Sequence, residues 1–255
     1  MPRMGGNHRH DKGTAVQGRD HALTGAVAFA AVAPLLHFTA LSVATGTVLT
    51  AGAALLPDID EPGSTISRQG GFLTMSLAWV VHRVSGGHRK GTHSFLGVAV
   101  FTIGALLAGS WQAAQPGRWQ HLVPAALVLA LLFAAACHAL HLGGHHGDAA
   151  AIALAAVVVW RGWDLALVTP WRVPILAACA VLGMLAHIAG DMLTHGGCPV
   201  WYPASRADHH LLPHGLQFTT GKLAEHWIVS PLLLAALALL LWRDAGGALT
   251  AARFR

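Results

Sequence analysis

Uncharged stretches alternate with short polar knots along this chain. Residues 23–56 form one apolar run, and Pro34 with the His37-Phe38-Thr39 stretch breaks it near the middle, which predicts a hairpin of two short helices. The Pro, Gly and Ser content of 58–70 predicts a loop. Residues 72–84 read as a short amphipathic helix at a membrane surface, with Trp79 at headgroup level. Then come a span over 95–110, a turn over 111–120 and a return over 121–141. A tight His-and-Gly loop at 141–148, a shorter helix over 149–160, a turn over 161–172 and a return over 173–193 follow. The polar stretch 194–225, with Pro199, Pro203 and Pro213, is a loop before a last helix over 226–242.

These periods predict an all-α polytopic membrane bundle of roughly six to eight helices, with its polar loops gathered at one membrane face. Residues 1–19 are expected as a disordered basic tail, 20–243 as a single membrane domain and 244–255 as a short basic tail. The polar start and the long apolar run after it do not fit a cleavable signal.

Helix direction organises the polar knots. If the first helix leaves one face, the second returns to it at Pro57, and each later pair repeats the excursion. His21, Asp58, Asp60, His88, His93 and Asp191 then fall on one side. Site-side segments also hold the larger share of Lys and Arg, which predicts that the site faces the cytoplasm.

Composition strengthens the membrane reading: 54% of the 255 residues are hydrophobic and 11% charged. The balance of +5 could suggest nucleic acid, but the basic residues are dispersed and no basic patch is interleaved with aromatics. Membrane lipids are the expected contact, and Trp111, Trp119, Trp160, Trp163, Trp171 and Trp242 read as interfacial belt residues. Cys137, Cys179 and Cys198 lack CxxC spacing, which argues against disulfides or a thiolate zinc knuckle and leaves only Cys198 as an outside ligand candidate. No P-loop, GxSxG elbow or HExxH is present.

The eleven acidic residues and eighteen histidines carry the candidate chemistry. Asp58, Asp60, Glu61, Asp148 and Asp191 lie at or near the ends of apolar runs, where a carboxylate is costly unless it pairs, meets water or binds a cation. In an extended turn Asp58 and Asp60 point the same way, and a divalent ion would relieve their repulsion; the plainer alternative is a solvated loop end. His187 and Asp191, four apart on a helix, share a face as two ligands or as a ligand and its orienter, or simply as a hydrogen-bonded helix end. Gly87 and Gly91 would let His88 and His93 aim at one point, and Arg89 with Lys90 could hold an anion or merely meet acidic lipid. His21 reads as a cap or a further ligand. His138, His141, His145, His146 and Asp148 form a second metal site or His-rich decoration, and His8 with His10 a loose arm.

Asp20-His21, Leu56-Pro57-Asp58-Ile59-Asp60, Ser64, His88-Arg89-Lys90-Gly91-Thr92-His93-Ser94, His187-Ile188-Ala189-Gly190-Asp191-Met192-Leu193-Thr194 and Gly197-Cys198-Pro199-Val200-Trp201-Tyr202-Pro203 resemble, in order and spacing, the YdjM-like family of inner-membrane predicted metal-dependent hydrolases, some of them LexA-regulated. The resemblance implies kinship with the all-α zinc-dependent phospholipase C and P1-nuclease proteins, and with it phosphoester hydrolysis at His21, Asp58, Asp60, His88, His93, His187 and Asp191. The family's His-Arg-Gly pattern has its glycine one place later here, behind Lys90, and the segment around 138–171 reads as an insertion of added hydrophobic mass that does not align with the motifs.

The expected function is therefore a membrane-bound metal-dependent hydrolase of a phosphoester delivered by the membrane. One or two Zn²⁺ or similar ions would activate a water, Asp60 or Asp58 would act as general base, and Arg89 with Lys90 would offset phosphate charge. The alternatives are a divalent-cation transporter and a non-catalytic metal-binding membrane protein using the same ligands.

Overall fold

The computed structural model describes residues 11–36, 40–114, 119–142, 153, 175–219 and 225–253. Among these it is all-helical, with helices α1 (Asp11–Val32), α2 (Ala40–Ala53), α3 (Thr65–Arg68), α4 (Gly71–Ser85), α5 (Phe95–Ala114), α6 (Trp119–Ala139), α7 (Ile175–Met192) and α8 (Ser230–Arg253). The expected breaks at Pro34 and Pro57 are present: single 3₁₀ turns occupy Ala33–Leu36 and Pro57–Asp60, where the ring removes a donor and fixes φ. Three stretches are long and apolar enough to cross a membrane, Ser42–Asp60, Ile175–Met192 and Trp227–Asp244, with shorter apolar helices at Phe95–Ser110 and Ala125–Ala139.

Two helix ends differ from expectation. α1 begins at Asp11, so residues 11–19 are helical rather than part of a disordered tail, and His21 lies inside a helix rather than capping one. At Gly18 that turn of α1 packs closely on Thr65 of α3, whose hydroxyl a Cβ there would meet at 3.0 Å. α8 likewise runs past Trp242 to Arg253, taking most of the expected second tail with it. The expected elements between 143 and 174, including His145, His146, Asp148, Trp160, Trp163 and Trp171, lie outside the described residues, as do His8 and His10.

α2 is the central helix. α1 packs on it where Gly25 meets Thr50 and Ala54, α6 where Gly52 meets the backbone of Leu132, and α7 where Gly183 meets Thr50, Ala53 and Ala54. Small residues at these crossings let backbones approach closely, which is how helices associate where lipid tails remove any hydrophobic drive between them. Phe29, Leu49, Leu129, Phe133, Ile175 and Met184 fill the space between the crossings and are fully buried. Because α1 and α2 run antiparallel, as do α5 and α6, the start of α5, the end of α2 and the end of α7 meet at one level. The polar residues collect there.

Candidate metal centre

Four segments reach this level: α1 at His21, the 3₁₀ turn Pro57–Asp60, the loop before α5, and the last turns of α7. The turn is held by its carbonyls. Ser64 Oγ donates to the Asp58 carbonyl at 2.8 Å, Ser67 Oγ to that of Ile59 at 3.4 Å, and His82 Nδ1 to that of Asp60 at 2.7 Å. A 3₁₀ turn has three residues per turn, so positions two apart splay by about 240°. Asp58 and Asp60 accordingly approach opposite nitrogens of His93, Asp58 Oδ1 at 3.6 Å from Nε2 and Asp60 Oδ2 at 3.7 Å from Nδ1, which corrects the expectation of an extended turn aiming both the same way.

Asp58 joins His93, His187 and Asp191. His93 Nε2 lies 3.2 Å from His187 Nε2, 3.6 Å from Asp58 Oδ1 and 3.6 Å from Asp191 Oδ2. His187 Nε2 lies 3.7 Å from Asp58 Oδ1 and 3.5 Å from Asp191 Oδ2. A tetrahedral ion with ligands at about 2.0–2.1 Å has donor-to-donor edges of about 3.3–3.4 Å. These five of the six donor pairs stand at 3.2–3.7 Å, near those edges, and the donor chemistry, two imidazoles and two carboxylates, suits a divalent cation.

The tautomers agree with this. His187 Nδ1 is 2.6 Å from the Ala54 carbonyl, which can only accept, so the ring's other nitrogen turns a lone pair inward. Thr92 Oγ1 donates to Asp60 Oδ2 at 2.5 Å and accepts from His93 Nδ1 at 3.0 Å, so His93 also presents Nε2. Two inward lone pairs 3.2 Å apart repel unless a cation stands between or beside them. In the metal-free protein that cation is a proton: burial opposes charge on His93, but Asp58, Asp60 and Asp191 outweigh it and raise its pKa to about 9. The same residues fall into three overlapping groups able to hold a metal ion, namely His21 with His187 and Asp191, Asp58 with His93 and His187, and Asp60 with His88 and His93.

The other expected residues stand around this core. Asp60, fully buried, pairs with His88 Nδ1 at 2.8 Å through Oδ1 and supports His93 through Thr92. His21 stacks on His187 with ring centres 3.7 Å apart and reaches Asp191 Oδ1 at 3.6 Å. Arg89, expected to face an anion, donates to the same Asp191 oxygen at 3.1 Å. Lys90 is exposed. Cys198 Sγ is 3.9 Å from Asp191 Oδ2; burial, with Asp191 adding to it, pushes its thiol pKa up, and it belongs to none of the metal-capable groups among the described residues. His138 and His141, at the end of α6, belong to none of the metal-capable groups among the described residues.

Thr92, His82 and the Ala54 carbonyl were not singled out from the sequence, although each fixes a member of the cluster. Thr92 had a signal, a hydroxyl directly before His93; a backbone carbonyl has none. A cleft lined by Gly18, Leu55, Asp58, Ser64, Thr65 and His88 opens the cluster to the outside. On it, Asp58 keeps 18% of its side chain exposed and His88 35%, whereas His93, His187 and Asp191 keep 1% or less.

A family model described as YdjM inner membrane protein matches residues 16–252, which includes every member of the cluster. The chain belongs to the YdjM inner membrane protein family. Neither curated proteins nor solved structures gave a match. The chain is thus a membrane protein of this family, with buried His and Asp groups able to hold a metal ion.

Proposed function

We propose that this YdjM protein is a metal-dependent hydrolase of a phosphoester delivered by the membrane, and that His93, His187 and Asp191 hold the ion. The observation that carries the reading is the asymmetry within the four-donor set: three donors are sealed in the bundle, while Asp58 alone faces the cleft. Catalytic zinc sites take three protein ligands and leave a fourth position open. A divalent ion bound there supplies a more acidic water and polarises the scissile group. Asp58 Oδ1 is the base positioned to take the proton of a water entering from the cleft. Asp60 orients His93 and His88 in place of acting as base, and Arg89 positions Asp191 with the guanidinium edge that Asp191 leaves uncovered directed to an anionic substrate.

The kinship with zinc-dependent phospholipase C and P1 nuclease implied by the motif order points to the same chemistry and to zinc. The excess of Lys and Arg in site-side segments supports a site facing the cytoplasm. A second reading has an observation of its own. If Asp58 is itself a ligand, the shell has four protein donors, as in sites that bind without turnover, and the protein is a metal carrier or a metal-stabilised membrane component.

Asp58→Asn separates the two. In purified protein the hydrolase reading expects the variant to keep its ion, measured by elemental analysis, and to lose hydrolysis of a phosphodiester such as bis(p-nitrophenyl) phosphate by at least about 100-fold. Loss of the ion together with an inactive wild type supports the second reading.

A further inference from the structure

α4 is amphipathic in the opposite sense to a helix that faces water. Its inward stripe is small and polar: Thr74 Oγ1 donates to the Ser67 carbonyl at 2.7 Å, Ala78 is buried, and His82 and Ser85 bond to backbone. Its outward stripe is apolar, with Leu73 at 78%, Leu77 at 48%, Val80 at 60% and Val84 at 83% exposure, four and three residues apart along one face. A helix on a water-soluble surface turns such a stripe inward.

Both ends of α4 are tied to the level of the cluster. Just before it, Gln69 Nε2 donates to the Leu131 carbonyl at 3.0 Å, next to the Leu132 backbone that packs on Gly52. Just after it, the Gly86–Gly87 turn delivers His88 to Asp60. A helix of 15 residues that begins and ends at one level does not cross the bilayer. Charge names the occupant. Between Glu61 and Asp148 the chain has no acidic residue, whereas Arg83 and Lys90 are exposed beside α4.

The geometry points to α4 as an in-plane membrane anchor, with its 73/77/80/84 stripe in the outer part of an anionic lipid leaflet and Arg83 and Lys90 among the headgroups. Leu96 and Val100 on α5 are likewise apolar and exposed. Through His82 and the Asp60 carbonyl this anchor braces the turn that carries Asp58 and Asp60, so the polar cluster sits at headgroup depth whether or not it hydrolyses anything.

Site-directed spin labelling of the full chain tests this, because the described cysteines Cys137, Cys179 and Cys198 are buried and leave introduced thiols to react first. Leu73→Cys, Leu77→Cys, Val80→Cys and Val84→Cys would be labelled one at a time in phosphatidylcholine–phosphatidylglycerol vesicles, with Val100→Cys as lipid reference and Arg206→Cys as water reference. The proposal expects all four labels to favour oxygen over a nickel chelate and to lie at depths within a few Å of one another. A crossing helix would instead separate positions 73 and 84 by about 16 Å in depth, which overturns the in-plane placement. Chelate access like that at position 206 overturns lipid contact, and exclusion of both reagents with dipolar broadening assigns the stripe to a second copy of the chain. In phosphatidylcholine alone the label at 84 should move toward water; an unchanged depth overturns the anionic preference.

Discussion

α2 and α8 are both apolar enough to span a membrane, yet 83% of the Ser42–Asp60 window is buried inside the bundle and 6% of Trp227–Asp244. The more apolar of the two is the exposed one. What separates them is size. α2 reads Ala-Leu-Ser-Val-Ala-Thr-Gly-Thr-Val-Leu-Thr-Ala-Gly-Ala, and its small residues admit three neighbouring backbones; α8 begins Ser-Pro-Leu-Leu-Leu-Ala-Ala-Leu-Ala-Leu-Leu-Leu-Trp and offers bulk to its surroundings. In this protein, small residues mark the helix at the centre of the bundle, and large ones mark the wall.

The sharpest way to break that contrast is to give α2 a side chain where it has none. A Cβ on Gly52 would collide with the Leu132 carbonyl, and a backbone atom cannot rotate away. Gly52→Val should therefore destabilise the folded protein by about 3 kcal/mol, read as a lower unfolding midpoint in detergent, whereas Leu239→Ala on α8 should change stability by less than about 0.5 kcal/mol.

Next in size are changes at the cluster beyond the end of α2. Removing a sealed donor, as in Asp191→Ala, should weaken metal binding by more than about 100-fold, and Thr92→Val, which breaks only the link between His93 and Asp60, by about 10- to 100-fold. Competition with a chromophoric chelator measures both. The smallest effect is on pH. His93 has its folded pKa raised to about 9, so below that value an entering ion must displace a proton, and above it need not. Apparent affinity should fall about tenfold per pH unit from 9 toward 7 on account of this one group, with about one proton released per ion in calorimetry across buffers of different ionisation heat. A flat profile would remove His93 from the ligand set.

Much of this arrangement can be read from the chain because hydrocarbon forbids charge. An uncharged run between Asp20 and Asp58 has few alternatives to a helical hairpin, and the alternation of helix direction then carries His21, Asp58, His93 and Asp191 to one level. The splay of Asp58 from Asp60 was not visible in the same way. It comes from a 3₁₀ turn whose three successive carbonyls are tied by Ser64, Ser67 and His82, and a hydroxyl or imidazole in the sequence does not announce which carbonyl it will hold. The early start of α1 was hidden for a related reason, since Gly18 looks like a tail residue until Thr65 packs against it. Arg89 shows the limit of reading charge by type: beside a His-rich loop it reads as an anion site, and nothing in the chain around it signals that its guanidinium also reaches the buried carboxylate of Asp191.

The central claim is that His93, His187 and Asp191 hold one cation, with Asp58 beside it on the cleft side. X-ray absorption at the metal edge of the purified protein tests it most directly. The account predicts nitrogen and oxygen neighbours only, at about 2.0–2.1 Å, with outer-shell scattering from two imidazoles that drops to one in His93→Ala. A sulfur neighbour near 2.3 Å, or a spectrum that His93→Ala leaves unchanged, would contradict it.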